Sequence, residues 1–70
     1  MQTGKVRWFD AQKGFGFIQP DAGGDDIMVE IGALRRSGLN DLAEGQKISF
    51  ELFVDKRSGN FSAEQLHIFD

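Results

Sequence analysis

Apolar and polar side chains alternate most cleanly late in the chain. There Ile48, Phe50, Leu52 and Val54 fall on one parity, and Ser49, Glu51 and Asp55 on the other. A period of two puts each set on its own face, so the segment predicts a strand with one buried side. Phe53 breaks the alternation by facing outward. Lys5 to Asp10, Phe15 to Gln19 and Ile27 to Glu30 predict three earlier strands, and about Asn60 to Ile68 a last one. Asp21-Ala22-Gly23-Gly24-Asp25 predicts the turn between the second and third strands, its glycines free to take positive φ. Lys56-Arg57-Ser58-Gly59 predicts a hairpin across which Phe53 and Phe61 could pair. Arg35 to Gln46 reads as a long loop with turn signals at Ser37-Gly38 and Glu44-Gly45. Short strands at short intervals are a small-barrel pattern. The expected core is Val6, Ile18, Ile27, Val29, Ile48, Phe50, Leu52, Val54, Ala63 and Leu66. No repeat, low-complexity tract or linker interrupts the chain, so residues 1–70 read as one domain.

The stretch Lys13-Gly14-Phe15-Gly16-Phe17-Ile18 carries the chemistry. In a strand Phe15 and Phe17 share one face while Gly16 and Ile18 take the other. Glycines on both sides of Phe15 remove neighbouring bulk, and Lys13 stands at the strand entrance where a phosphate could reach it. That is how a platform for stacking unpaired bases is built. Rings at period two also face a core, and more often do. Against the core reading, an inward Phe pair would leave Ile18 facing water with Gly16 as its only companion. Aromatics occur on both parities of the first strand, since Val6 shares a parity with Trp8 and Arg7 with Phe9. Both cannot be core unless a bulge or the strand end intervenes.

Composition narrows the function class. The chain has 70 residues, no cysteine and a single histidine, His67, so neither a disulfide nor a metal site is expected. No nucleophile, base and orienter stand out as a set, which argues against an enzyme, and no cofactor is implied. Asp25-Asp26 and Asp41 with Glu44 read as solvated loop carboxylates. No apolar run approaches a membrane span and no signal sequence precedes the first strand, so a cytoplasmic location without a membrane partner is expected. Net charge is −3, but residues 1–20 hold three basic groups against Asp10, a balance of +2. The remainder holds five basic and ten acidic groups, a balance of −5. An acidic body disfavours duplex wrapping, where phosphate contacts supply most of the affinity, and suits single strands gripped by stacking.

Gly4-Lys5-Val6-Arg7-Trp8-Phe9-Asp10, then Lys13 to Ile18, then Pro20-Asp21, resembles the opening of the bacterial cold-shock proteins. Their pattern reads G-x-V-K-W-F-N-x-x-K-G-F-G-F-I-x-P. The similarity continues through Asp26 to Val29, Ala33-Leu34, Leu42, Glu44-Gly45-Gln46 and Ser49-Phe50, essentially the whole chain. The resemblance implies an all-β fold, a five-stranded antiparallel barrel of the OB type, with bases laid on the outer face of its first three strands. Trp8, Phe15 and Phe17 should then be substantially exposed, and Ile18, Val29 and Phe50 buried. It also implies a helical turn over Ile31 to Leu34, stacking by Trp8, Phe9, Phe15 and Phe17, and phosphate contact by Arg7 and Lys13. The implied partner is single-stranded RNA or DNA and the implied role that of an RNA chaperone. A monomer is expected, with strand exchange through the long loop as the alternative.

The chain departs from that pattern at several positions. Asp10 replaces the usual Asn and cannot donate a hydrogen bond to a base or phosphate as an amide can. Where the family reads V-F-V-H-F, this chain has Ile27-Met28-Val29-Glu30-Ile31, so the inward parity is kept and all three outward rings are changed. Leu39 stands where the family usually has Phe or Tyr. Met28 can lie against a base through its polarisable sulfur, Ile31 offers area without a π face, and Glu30 puts negative charge in the path of the strand. Phe61 is a further stacking candidate. Losing about 1 kcal/mol at each of three ring sites predicts binding roughly a hundredfold weaker than in an intact member. The alternative function is protein contact or self-association through Met28, Ile31 and Leu39.

Overall fold

The computed structural model describes residues 1–54 and 56–69; Asp55, expected on the polar parity of the fourth strand, lies outside the described residues. Five strands and one short helix follow in the order β1 (Gln2–Asp10), β2 (Phe15–Pro20), β3 (Ile27–Glu30), α1 (Ile31–Arg36), β4 (Lys47–Val54) and β5 (Phe61–Ile68). They form a closed barrel in the order β1-β2-β3-β5-β4, which has the all-β, OB-type architecture expected. Four of the five contacts are antiparallel, whereas β3 meets β5 in parallel through Met28 opposite Ser62. Five strands cannot close a ring with every neighbour reversed, because an odd cycle forces one like-directed pair. The seam falls where pairing is shortest.

Two bulges adjust the parity. In β1 the register jumps from Val6 opposite Ile18 to Trp8 opposite Phe17, leaving Arg7 as the extra residue. In β5 the register slips between Ser49 and Glu51 of its partner, and Gln65 there has φ 50°, the one positive value outside glycine among the described residues. That extra residue lets Ala63 and Leu66, three apart, both point inward. Gly4 lies where β1 is squeezed between β2 and β4. A Cβ there would sit 2.5 Å from the Gln19 carbonyl oxygen and 2.9 Å from Ile18 Cγ2.

Val6, Ile18, Val29, Ile48, Phe50, Ala63 and Leu66 are buried as expected. Ile27 and Leu52 are only half-buried at the margin of the cluster. Val54 is not core: it is 53% exposed and stands opposite the similarly open Phe61 on the last rung of β4 and β5. Ala33, Leu34 and Leu42 fill the core instead, contributed by α1 and the loop after it. The helix reaches Arg36, two residues past the expected turn and into the expected loop. Its end is held by Ser37, whose Oγ accepts the Leu66 N–H at 2.8 Å. Arg36 meets Glu64 on β5 through Nε to Oε1 at 3.2 Å and Nη2 to Oε2 at 2.6 Å. The hydrogen bond that Arg36 donates to Glu64, reinforced by the carboxylate's charge, pushes the Arg36 guanidinium pKa above its ordinary value.

Candidate nucleic-acid interface

The bulge at Arg7 decides which ring of β1 faces out. Past it, Trp8 stands opposite Phe17 and Asp10 opposite Phe15, while Phe9 stands opposite Gly16. Trp8, Phe15 and Phe17 therefore share the outer face. Their centroids lie 5.4 Å (Trp8–Phe15), 5.6 Å (Trp8–Phe17) and 6.0 Å (Phe15–Phe17) apart, each pair edge to face. This geometry suits ring quadrupoles and holds the three side chains in place without a ligand. Their mutual shielding leaves each ring half-buried, less open than the substantial exposure expected. Ile18 and Val29, on the opposite parity, are fully buried.

Phe9, which the sequence groups with the stacking rings, is half-buried on the other parity. It packs against the core cluster, and the bulge is the reason. Gly16 makes room for it: a Cβ on Gly16 would lie 2.6 Å from Phe9 Cα and 2.8 Å from its ring, and would collide with the Trp8 carbonyl oxygen. The Phe9 ring thus lies over the hole that Gly16 leaves.

The turn from β1 to β2 is tied by Asp10. Its Oδ1 accepts the N–H groups of Gln12 at 2.9 Å and Lys13 at 3.2 Å, and its carbonyl accepts the N–H of Gly14 at 2.8 Å. Only an acceptor is needed, so Asp serves the turn as well as Asn does. Gly14, with φ 85°, passes its carbonyl to the N–H of Ile31 at 2.9 Å, which joins the turn to the start of α1. Lys13 stands exposed on this turn and makes no ion pair among the described residues. Arg7, the other expected phosphate contact, is engaged: its Nε lies 2.7 Å from Asp26 Oδ2.

β3 continues the outer face with different chemistry. Met28 stands opposite Phe17 and Glu30 opposite Phe15, so Phe15 has a carboxylate on each neighbouring strand, Asp10 and Glu30. Met28 and Ile31 are half-buried and Glu30 is exposed. Leu39, expected in a contact patch, packs partly on the core, with its N–H bonded to the Leu34 carbonyl at 2.8 Å. Phe61 stands opposite Val54, and Phe53 opposite Ser62, so the expected Phe53–Phe61 pair is displaced by one rung. Phe61 instead borders a groove of about 530 Å³ with Phe17, Ile27, Met28, Asn60, Asp25 and Asp26. The sequence reading took Asp25 and Asp26 for solvated loop groups and passed over Asn60. Their one sequence signal was position, immediately before β3 and β5.

The 'Cold-shock' DNA-binding domain family model matches residues 2–68. The chain belongs to the cold-shock domain family. It is 58% identical over 66 residues to the probable cold shock protein y4cH of Sinorhizobium fredii, covering 94% of this chain and 96% of that one. It is 47% identical over 66 residues to cold shock protein CspA of Rhizobium meliloti, with the same coverage. Against cold shock protein CspD of Bacillus subtilis the identity is 49% over 57 residues, covering 81% of this chain and 85% of the relative. A cold-shock domain is a nucleic-acid-binding domain. No helix among the described residues is long and apolar enough to cross a membrane.

Proposed function

We propose that this cold-shock domain binds single-stranded RNA or DNA by stacking unpaired bases on Trp8, Phe15 and Phe17, and acts as an RNA chaperone that keeps transcripts unpaired. The observation that carries this reading is the three-ring cluster, held edge to face on the outer wall of a small barrel whose core is short of apolar area. Catalysis is not required. Trapping unpaired bases shifts a hairpin equilibrium by mass action and so influences transcription or translation.

Lys13, which makes no ion pair among the described residues, serves as a cation for a backbone phosphate, whereas Arg7 must share itself with Asp26. Met28, Ile31 and Phe61 extend the apolar surface, and Phe9 supports it from the core side. Glu30 and Asp10 flank Phe15 with negative charge and repel phosphates. Affinity is accordingly weaker than in a member with an intact second motif. The protein-contact alternative loses weight because Leu39 packs inward, which reduces its patch to Met28 and Ile31.

Trp8 is the sole tryptophan and reports directly on the site. Titration with oligo-dT and oligo-U at two salt concentrations should quench its fluorescence with submicromolar to micromolar midpoints. Absence of quenching at high micromolar strand overturns the reading.

A further inference from the structure

Met28 is the outward position of the second motif at which this chain exchanges a ring for sulfur. A phenyl ring there would be inert to peroxides, whereas a thioether has a lone pair that takes up an oxygen atom. The chain has no cysteine, so its sulfur is confined to Met1 and Met28. No thiol of its own competes for an oxidant.

The placement of Met28 gives that chemistry a consequence. It stands opposite Phe17 on β2 and forms, with Ser62, the rung that pairs β3 with β5. It is half-buried, and it lines the groove of about 530 Å³ together with Phe17, Ile27 and Phe61. A molecule the size of a peroxide reaches it from that side, while a strand seated on the rings would cover it. Met1 is the natural reference, because it is 76% exposed at the chain terminus and lies outside that groove.

The thioether is apolar and polarisable, and it can lie against a base. Its sulfoxide is polar and chiral, with an oxygen that only accepts hydrogen bonds. The flat face of a base offers that oxygen no donor, so covering it strips away water without replacing the lost hydrogen bonds. Asp25 and Asp26 already line the groove with acceptor oxygens, and the negative end of the S=O dipole adds to them.

We propose that Met28 is a redox modification site: a peroxide oxidises its sulfur to the sulfoxide and so loosens the domain's grip on a single strand. The sulfur lone pair attacks one peroxide oxygen, the O–O bond breaks, and the other oxygen leaves as water or, from an alkyl hydroperoxide, as an alcohol. A methionine sulfoxide reductase reverses the step at the expense of two thiols, which become a disulfide while the oxygen leaves as water. The proposal rests on the single-strand reading above. It makes the changed second motif a reversible control on release of the strand.

The test treats the whole chain with hydrogen peroxide and follows added oxygen on Met28 and Met1 by peptide mass mapping. When Met1 is fully converted, Met28 should be oxidised in most molecules. A saturating thymidine heptamer should slow oxidation at Met28 by at least about threefold and leave Met1 unaffected. By Trp8 fluorescence, the oxidised protein should bind the heptamer about five- to tenfold more weakly, with its circular dichroism unchanged. Reductase with dithiothreitol should restore the affinity. Met28→Leu keeps apolar bulk without sulfur, so peroxide should leave its affinity unchanged although its Met1 is oxidised. Recovery with the reductase carries the assignment if that variant fails to fold. Met28 left reduced while Met1 is converted overturns the proposal alone, as does unchanged affinity of the oxidised protein, its unfolding, or an equal loss in folded Met28→Leu. Failure of the untreated protein to bind any strand overturns the single-strand reading with it.

Discussion

On β1 and β2 three rings lock edge to face around a glycine. One strand away in the same sheet, β3 presents Met28 and Glu30 in register with two of those rings. The inner parities of the two regions are alike, with Ile18 and Val29 both fully buried. The divergence is confined to the outer parity. Alternation explains how that is achieved: a strand's inward residues answer to the core and its outward ones to whatever touches the surface, so one set can change without the other. A barrel of this kind can have its affinity reduced on one strand while its fold is untouched.

The comparison is sharpened most by making β3 resemble β2. Met28→Phe, Glu30→His and Ile31→Phe together restore three outward rings and remove one negative charge beside Phe15. Affinity for a pyrimidine-rich strand should rise by about 2 to 4 kcal/mol, near thirtyfold to a thousandfold, with the charge contributing most at low ionic strength. Melting and sedimentation must first show fold and oligomeric state unchanged. A folded triple variant that binds no better than the parent means that β3 does not face the strand, and the protein-contact reading then leads.

Gly16→Ala breaks the ring half from beneath. The added Cβ meets the Trp8 carbonyl and the Phe9 backbone, groups that cannot swing aside as a side-chain tip can. Stability should fall by about 3 kcal/mol, the upper part of the range for overpacking, as read from a urea midpoint. A wild-type midpoint would mean that β1 and β2 can separate freely, and the rings would then not be held as described.

Phe17→Ala and Met28→Ala, directly opposite each other, test the two halves residue against residue. Removal of Phe17 should cost about 1 to 3 kcal/mol in oligonucleotide binding, and removal of Met28 less than about 1 kcal/mol. Because Phe17 touches both Trp8 and Phe15, its loss should also lower stability by about 1 kcal/mol. Unfolding of Phe17→Ala with no separate binding loss would identify the ring as core.

Where the sequence was legible, a period of two made it so. Ile18 in with Phe17 out, and Ile48 and Phe50 in, all follow from alternation, and the structure has them there. Alternation does not say how far along a strand burial runs, which is why Val54 was expected inside. It is blind to a bulge that no glycine or proline marks, and the extra residue at Arg7 sends Phe9 inward against expectation. Ala33, Leu34 and Leu42 lie on a helix and loop too short for a periodic signal, although they close the core. The Arg7–Asp26 pair joins residues from different turns of the chain, and no local pattern reports it.

The smallest expected effect separates the two cations of the ring half. Lys13 is exposed and unpaired among the described residues, whereas Arg7 is held by Asp26. If Lys13 meets one phosphate of a single strand, Lys13→Ala should flatten the dependence of log affinity on log salt by about 0.7. Arg7→Ala removes a cation already neutralised by its neighbour, and it frees the Asp26 carboxylate beside the groove. The salt slope should change less than for Lys13→Ala, while affinity at low salt falls because an unpaired negative charge now faces the strand. Titrations at four or five salt concentrations read both slopes. Equal slopes for Lys13→Ala and the parent would show that the turn between β1 and β2 does not reach the backbone, leaving stacking on Trp8, Phe15 and Phe17 as the whole grip of this half.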